Sequence, residues 1–261
     1  TGFTGSAGTA VITKTEAGLW TDARYFLQAK HQLENTGVTL YRMGEEGVPT
    51  VMEYLRSALP EGGTLGFDGR VINARLGAAF LALAEEKHGK LAVGEDLVGI
   101  IWDDRPELPH AAVRILTAEY SGRSTADKLA AVRKEMKKQG ASVHLLTSLY
   151  DIAWLLNVRG GDIDYVPVVL SYLALTEETC LWFVQDAVLT EELRAYLAEN
   201  RIETRPYDSF YDYAAAIPAG ETVLLDKGVC NYRLVSGLCE GVKTVDETNP
   251  SEVGGQAVLG R

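Results

Sequence analysis

The chain repeats itself, and that limits the folds open to it. Leu59-Pro-Glu-Gly-Gly-Thr-Leu-Gly-Phe-Asp68 returns as Ile217-Pro-Ala-Gly-Glu-Thr-Val-Leu-Leu-Asp226. The register then holds without a gap, with Val71, Asn73, Arg75 and Leu76 matching Val229, Asn231, Arg233 and Leu234. Solenoid repeats recur every ~20 to 50 residues, and this spacing is far longer. The pattern therefore predicts two duplicated domains rather than an array.

A weaker echo precedes it. Thr15-Glu-Ala-Gly-Leu-Trp20 resembles Thr176-Glu-Glu-Thr-Cys-Leu-Trp182. In the first copy, Ala10 to Thr13 is a β-rich run, Lys14 to Gly18 carries turn polarity, and Leu19 to Thr21 resumes the strand. Asp22 can then N-cap a helix through Leu33, with Tyr25, Phe26, Ala29 and Leu33 at helical spacing. The second hairpin is expected over Pro167–Leu175 and Leu181–Val184. Before it, the second copy has a predicted helix (Ser124 to Gln139, ended by Gly140), a strand (Val143 to Thr147) and a short helix (Asp151 to Leu156). The first copy has only the Gly-rich Thr1 to Gly8, so its N-terminal part is expected to be missing.

Elsewhere strands and helices alternate: a strand at Val38–Arg42, a helix at Pro49–Leu59, a strand at Thr64–Asp68 and a helix at Asn73–His88. The second copy continues with helices at Glu191–Asn200 and Tyr207–Ala216 and a strand at Thr222–Asp226. This is an α/β chain. The domains are expected at 1–121 and 122–250, with 251–261, beginning in Asn249-Pro-Ser-Glu-Val-Gly-Gly255, as a linker or tail.

Charge and motifs remove several classes of function. A net charge of −11 over 261 residues disfavours nucleic acid and anionic membranes, which need basic surface. No run of about 18 apolar residues is present. Three cysteines without CxxC spacing suit a reducing cytoplasm and suggest no metal site. The four histidines, His31, His88, His110 and His144, are scattered, with no HExxH, and there is no GxSxG elbow or Walker loop. Thr1–Gly8 lacks a lysine and precedes a strand, so it reads as a tight loop rather than a phosphate cradle. Asp103-Asp104 read as solvated, His144 as a satisfied core histidine, and the four tryptophans as core anchors.

Several segments carry a family resemblance. Thr1-Gly-Phe-Thr-Gly-Ser-Ala-Gly-Thr-Ala10 and Leu19-Trp-Thr-Asp-Ala-Arg-Tyr-Phe-Leu-Gln-Ala29 resemble the first domain of three-domain Xaa-Pro aminopeptidases (aminopeptidase P, of the M24 metallopeptidases). Ile101-Trp-Asp-Asp-Arg-Pro106 resembles the end of that domain. Asp151-Ile-Ala-Trp-Leu-Leu-Asn-Val-Arg-Gly160 and Pro167-Val-Val-Leu-Ser-Tyr172 resemble the middle domain. The resemblance implies two creatinase-N-like domains, each a mixed β-sheet flanked by helices. It places them before a catalytic domain, absent here, that holds two divalent metal ions, expected to be manganese. That domain removes the N-terminal residue from peptides with proline second. Two positions depart from the pattern: Ala23 stands where the family has Gly, and Val166 where it has Asn.

The resemblance assigns Arg24 to the bound peptide, since a guanidinium fork can recognise a peptide carbonyl or carboxylate. Read without the family, Arg24 pairs with a helical carboxylate or a helix end. Arg159 is a candidate domain contact; its local reading is a loop arginine bonded to Asp162 or backbone carbonyls. The expected function is the non-catalytic N-terminal portion of such an aminopeptidase, inactive alone, cytoplasmic, with no metal ligands of its own. Its expected partners are its catalytic domain and proline-containing peptides, with a homodimer possible. A catalytically inactive binding module of the same fold and an oligomerisation domain are the alternatives.

Overall fold

The structure is a computed structural model that describes residues 1–250; the expected linker or tail at 251–261 lies outside the described residues. The chain divides into two compact units, Thr1–Leu65 with Phe80–Leu91, and Gly66–Ala79 with everything from Ala92 onward.

The first unit opens with the expected hairpin. Strands β1 (Thr9–Ile12) and β2 (Ala17–Thr21) pair antiparallel, with Thr9 opposite Trp20. Asp22 does act as an N-cap, but it serves a 3-10 turn at Ala23–Tyr25. Helix α1 (Phe26–Gln32) begins only after that turn. The chain then adds β3 (Val38–Arg42) parallel to β2. Helix α2 (Val51–Ala58) starts on a capping box in which Thr50 and Glu53 satisfy each other's backbone N–H. Strand β4 (Thr64–Gly66), helix α3 (Ala74–Glu86) and strand β5 (Lys90–Ala92) follow, and β4 and β5 form a two-stranded sheet. One core cluster here packs Leu19, Ala29 and Leu33 with Phe3, Val38 and Leu40, and Trp20, Leu55, Phe80 and Leu83 are buried as well.

Helix α4 (Leu97–Ile100), strand β6 (Arg114–Ile115) and helix α5 (Ala118–Ser121) lead into α6 (Thr125–Lys138). Ser124 caps α6, and Gly140 just beyond its end takes the left-handed conformation (φ 67°) that glycine adopts cheaply. Then come β7 (Val143–Leu146), α7 (Leu149–Leu155), β8 (Val158–Arg159), β9 (Ser171–Thr176) and β10 (Cys180–Val184). The chain continues through α8 (Glu191–Glu199), β11 (Glu203–Pro206), α9 (Phe210–Ala215), β12 (Thr222–Leu225), α10 (Tyr232–Ser236) and β13 (Lys243–Asp246). Six strands form one mixed sheet in the order β11-β10-β9-β7-β12-β13. Buried apolar layers cover it, one containing Leu129, Val132, Leu155, Trp182 and Leu193, the other Phe183, Phe210, Ala214 and Leu234.

The two hairpins repeat in chemistry as well as order. Thr13 N–H donates to the Glu16 carbonyl, and the Thr13 hydroxyl accepts from the Thr15 and Glu16 amides. Thr176 makes the same three bonds to Thr179 and Glu178. The partner of Thr176 is therefore Thr13, not the Thr15 chosen by letter matching. The turn's hydrogen bonds, which a sequence match does not see, fix that register. In each copy the following strand carries a fully buried tryptophan, Trp20 or Trp182, and next pairs with a parallel strand.

The stronger echo folds onto itself inside the second unit. Asn73 and Asn231 face each other in an antiparallel bridge. The Ala74 amide donates to the Cys230 carbonyl, and the Tyr232 amide to the Ile72 carbonyl. The Arg75 amide donates to Lys227, and the Arg233 amide to Gly69. Each bond maps onto its counterpart when the copies are exchanged, a quasi-two-fold ladder. Asn73 and Asn231 also cap α3 and α10, accepting from the Leu76 and Leu234 amides. A Cβ at Gly77 would run into the Tyr232 ring, so the ladder requires glycine there.

Candidate functional site

Arg24 sits in the 3-10 turn beside the hairpin. Its side chain is 69% exposed. Asp22 holds it as a fork, with Nε donating to Oδ1 at 2.9 Å and Nη2 to Oδ2 at 2.7 Å. The guanidinium lies 5.3 Å from the centroid of the Tyr25 ring, whose hydroxyl bonds Ser6 at 2.5 Å. Hydrogen bonding to Arg24 holds the Asp22 carboxyl below the usual range, and Asp22 raises Arg24 in return. Among the described residues Nη1 makes no hydrogen bond, so one edge of the fork is available. Arg24 is thus paired locally, with the capping Asp22 rather than with a carboxylate inside the helix, and presented outward.

Arg159 is placed differently. It is half-buried, and Nη1 donates to the carbonyls of Ala153 and Val158, both at 2.8 Å. Asp162 is engaged elsewhere, accepting from the Ala111 and Leu170 amides. Of the two local readings, backbone carbonyls rather than Asp162 are therefore its partners.

Next to it lies a residue that the sequence did not single out. Lys128, 2% exposed, donates to the Trp154 carbonyl at 2.8 Å and to Asn157 Oδ1 at 2.5 Å. Its ammonium lies 4.6 Å from the Trp154 ring centroid. Two cations therefore cover the C-terminal end of α7, where the helix dipole and the orphan carbonyls favour positive charge. Burial, with the charges of Arg159 and Arg123, depresses the Lys128 ammonium to about 8. Lysine on a helix face reads as solvated, and only tertiary packing reveals this one.

The remaining candidates are structural. His144 is fully buried; Nδ1 lies 3.0 Å from the Leu224 carbonyl, but Nε2 has no hydrogen-bond partner among the described residues. It is a core histidine only half satisfied, and burial lowers it to about 4, so the ring is neutral at pH 7. Burial raises the Cys180 and Cys230 thiols to about 12, while Cys239 is exposed. Asp103 and Asp104 are exposed. Trp20 and Trp182 anchor the core as expected, Trp154 is partly buried, and Trp102 is 44% exposed. No group of three or more His, Cys, Asp or Glu is placed to hold a metal among the described residues. One cavity of about 1020 Å³ is lined in part by Arg133, Lys137, Glu177 and Glu221, and by neither Arg24 nor Arg159.

One charged cluster is more elaborate. Asp96 caps α4, accepting from the Gly99 amide at 2.8 Å. Its other oxygen binds Arg105 at 2.5 Å and Arg70 at 3.2 Å, and Arg70 also holds Asp68 at 2.7 Å. The Gly99 amide first, then Arg105, keeps the Asp96 carboxyl below its ordinary value.

Comparison with known proteins gives this arrangement its setting. The family model for the creatinase/prolidase N-terminal domain matches residues 1–96, and a second model of that description matches residues 104–254. The chain belongs to the creatinase/prolidase N-terminal domain family. As a family member it is similar to aminopeptidase P2 of Arabidopsis thaliana, 38% identical over 239 residues, covering 90% of this chain and 34% of the relative. A probable Xaa-Pro aminopeptidase P of Talaromyces marneffei is 42% identical over 219 residues, covering 83% of this chain and 33% of the relative. Among solved structures, an X-prolyl aminopeptidase of Caenorhabditis elegans superposes with a TM-score of 0.89 at 30% identity. That match covers 95% of this chain and 42% of the nematode chain, which is described as a cytosolic enzyme with a di-nuclear active site. The chain spans about a third of the length of these curated relatives. The two duplicated domains and the mixed α/β fold expected from the sequence are those of the family.

Proposed function

We propose that this chain is the non-catalytic N-terminal portion of an Xaa-Pro aminopeptidase, shaping access to the active site and presenting Arg24 to the bound peptide. The observation that carries this is the match to the nematode X-prolyl aminopeptidase over 95% of the chain, which takes in both repeats. The relatives named Xaa-Pro aminopeptidase P support it. Two divalent metal ions, with manganese as our choice, belong to the catalytic portion, and the present chain is inactive alone. A cytoplasmic setting accords with the nematode enzyme's description; no helix among the described residues is long and apolar enough to cross a membrane.

Arg24 has the chemistry for the role. Asp22 fixes two of its nitrogens and leaves Nη1 free to donate to a peptide carbonyl or carboxylate. Holding the fork in advance reduces the rotamer entropy lost on binding.

The test is hydrolysis of Xaa-Pro peptides by the metal-saturated full-length protein, wild type against Arg24→Ala and Arg24→Lys. We expect kcat/KM to fall about 10- to 100-fold in Arg24→Ala with the melting temperature unchanged, and Arg24→Lys to restore little of it. Unchanged kinetics would return Arg24 to its pairing with Asp22 alone. No hydrolysis by wild type would refute the aminopeptidase reading and favour an inactive binding module.

A further inference from the structure

The ion network around Asp96 has an apolar surface on top of it. Leu97, Val98, Ile100, Ile101 and Trp102 are all exposed, Ile101 by 81%. Scattered exposed apolar residues need no explanation, but a run of large ones with only a glycine between them does. This run is also held in place. Asp96 caps the short helix beneath it, Arg70 and Arg105 grip Asp96, and the Arg105 guanidinium lies 5.6 Å from the Trp102 ring centroid. A Cβ at Gly99 would press on Asp96 Oδ2 and Arg105 Nη1, so glycine is what lets the brace close. Ordering five bulky apolar side chains in water is unfavourable unless something covers them.

We infer that this ledge, Leu97–Trp102, is the docking surface for the polypeptide that continues beyond the second repeat, whose contacting face is apolar with a basic rim. The inference rests on the aminopeptidase portion proposed above. Three observations select that occupant. The curated relatives are about three times as long as the matched region, so a large further mass is joined to such a chain. The path towards it is fixed on the unit that bears the ledge: the Asn249 side chain donates to Asp151 Oδ2 at 2.8 Å, both groups buried. A tether of this kind gives an effective concentration of order mM, against which a free partner competes poorly. Charge also argues against a second copy. With Asp96 paired to Arg70 and Arg105, the flanks still carry Glu95 before the ledge and Asp103, Asp104 and Glu107 after it. A two-fold contact of the ledge with itself would bring these acidic flanks together. A basic rim on the occupant complements them.

The test compares side-chain accessibility by hydroxyl-radical footprinting in the 261-residue chain and in the full-length protein, at two protein concentrations. We expect Trp102 and Ile101 to oxidise at least about fivefold more slowly in the full-length protein, independently of concentration. We expect Ile101→Ser with Val98→Ser to abolish that protection, leaving the melting temperature of the 261-residue chain unchanged. Equal oxidation in both proteins would overturn the proposal. So would protection that grows with concentration, because the occupant would then be a second copy. The readout needs no catalysis: protection in a full-length protein that hydrolyses no Xaa-Pro peptide would sustain the docking surface and refute only the activity.

Discussion

Lys128 makes a quantitative prediction about stability. Burial and the neighbouring Arg159 and Arg123 charges bring its ammonium from the ordinary 10.5 down to about 8. The unfolded chain keeps this proton up to about pH 10.5, whereas the folded chain releases it near pH 8. Between those values the unfolded state binds more protons, so the Lys128 contribution to stability rises with pH; below pH 8 the burial cost is present in full. A gap of about 2.5 pH units, at about 1.4 kcal/mol each, limits the effect to about 3 kcal/mol. The bonds to Trp154 and Asn157 favour the charged form and trim that figure.

Urea unfolding of wild type and Lys128→Met at pH 7, 8, 9 and 10 isolates the effect. The raw curves also contain Cys180 and Cys230, whose folded-state values near 12 destabilise the fold as pH climbs past 9. Subtracting the variant removes these common contributions. The stability of wild type relative to Lys128→Met is expected to rise by about 1–2 kcal/mol from pH 7 to pH 9 and to keep rising towards pH 10. A difference that stays flat would mean that Lys128 is not a desolvated ammonium, and the account of the α7 terminus would fail with it.

Packing supplies two further outcomes. Gly77→Ala gains about 1 kcal/mol of helix propensity but drives a methyl into the Tyr232 ring, an overpacking cost of about 1–3 kcal/mol. The urea midpoint should fall, and a rise would show that the ring yields freely. With a thiol reagent at pH 8, one cysteine (Cys239) should react promptly in the folded chain and three after unfolding. Prompt labelling of two or more would contradict the burial of Cys180 and Cys230.

The features legible in the sequence were those written in local chemistry. Ser124 and Gly140 bounded α6, and Trp20 and Trp182 each marked the second strand of a hairpin. The edge strands β11 and β13 escaped notice because Glu-Thr-Arg-Pro and Lys-Thr-Val-Asp have no apolar alternation; parallel pairing to β10 and β12 makes them strands. The brace around Asp96 joins residues from two loops, and no spacing rule links Asp68 to Arg105. The burial of Lys128 and of the His144 ring is likewise a product of tertiary packing. At Arg24 a local ion pair was legible, but that the capping Asp22 supplies it was not. Nor was the freedom of Nη1.

The quasi-two-fold ladder also bears on how such a chain can be dissected. A cut near residue 100, where the two family models part, would separate Gly69–Arg75 from Lys227–Arg233. Each half would carry away backbone donors whose acceptors had stayed with the other, and Tyr232 would lose its packing on Gly77. The bonds join segments more than 150 residues apart, so closing the loop between them carries an entropic cost that both halves must meet together. Duplication produced two similar sequences, but the smallest piece able to complete its own hydrogen bonding at this ladder holds both.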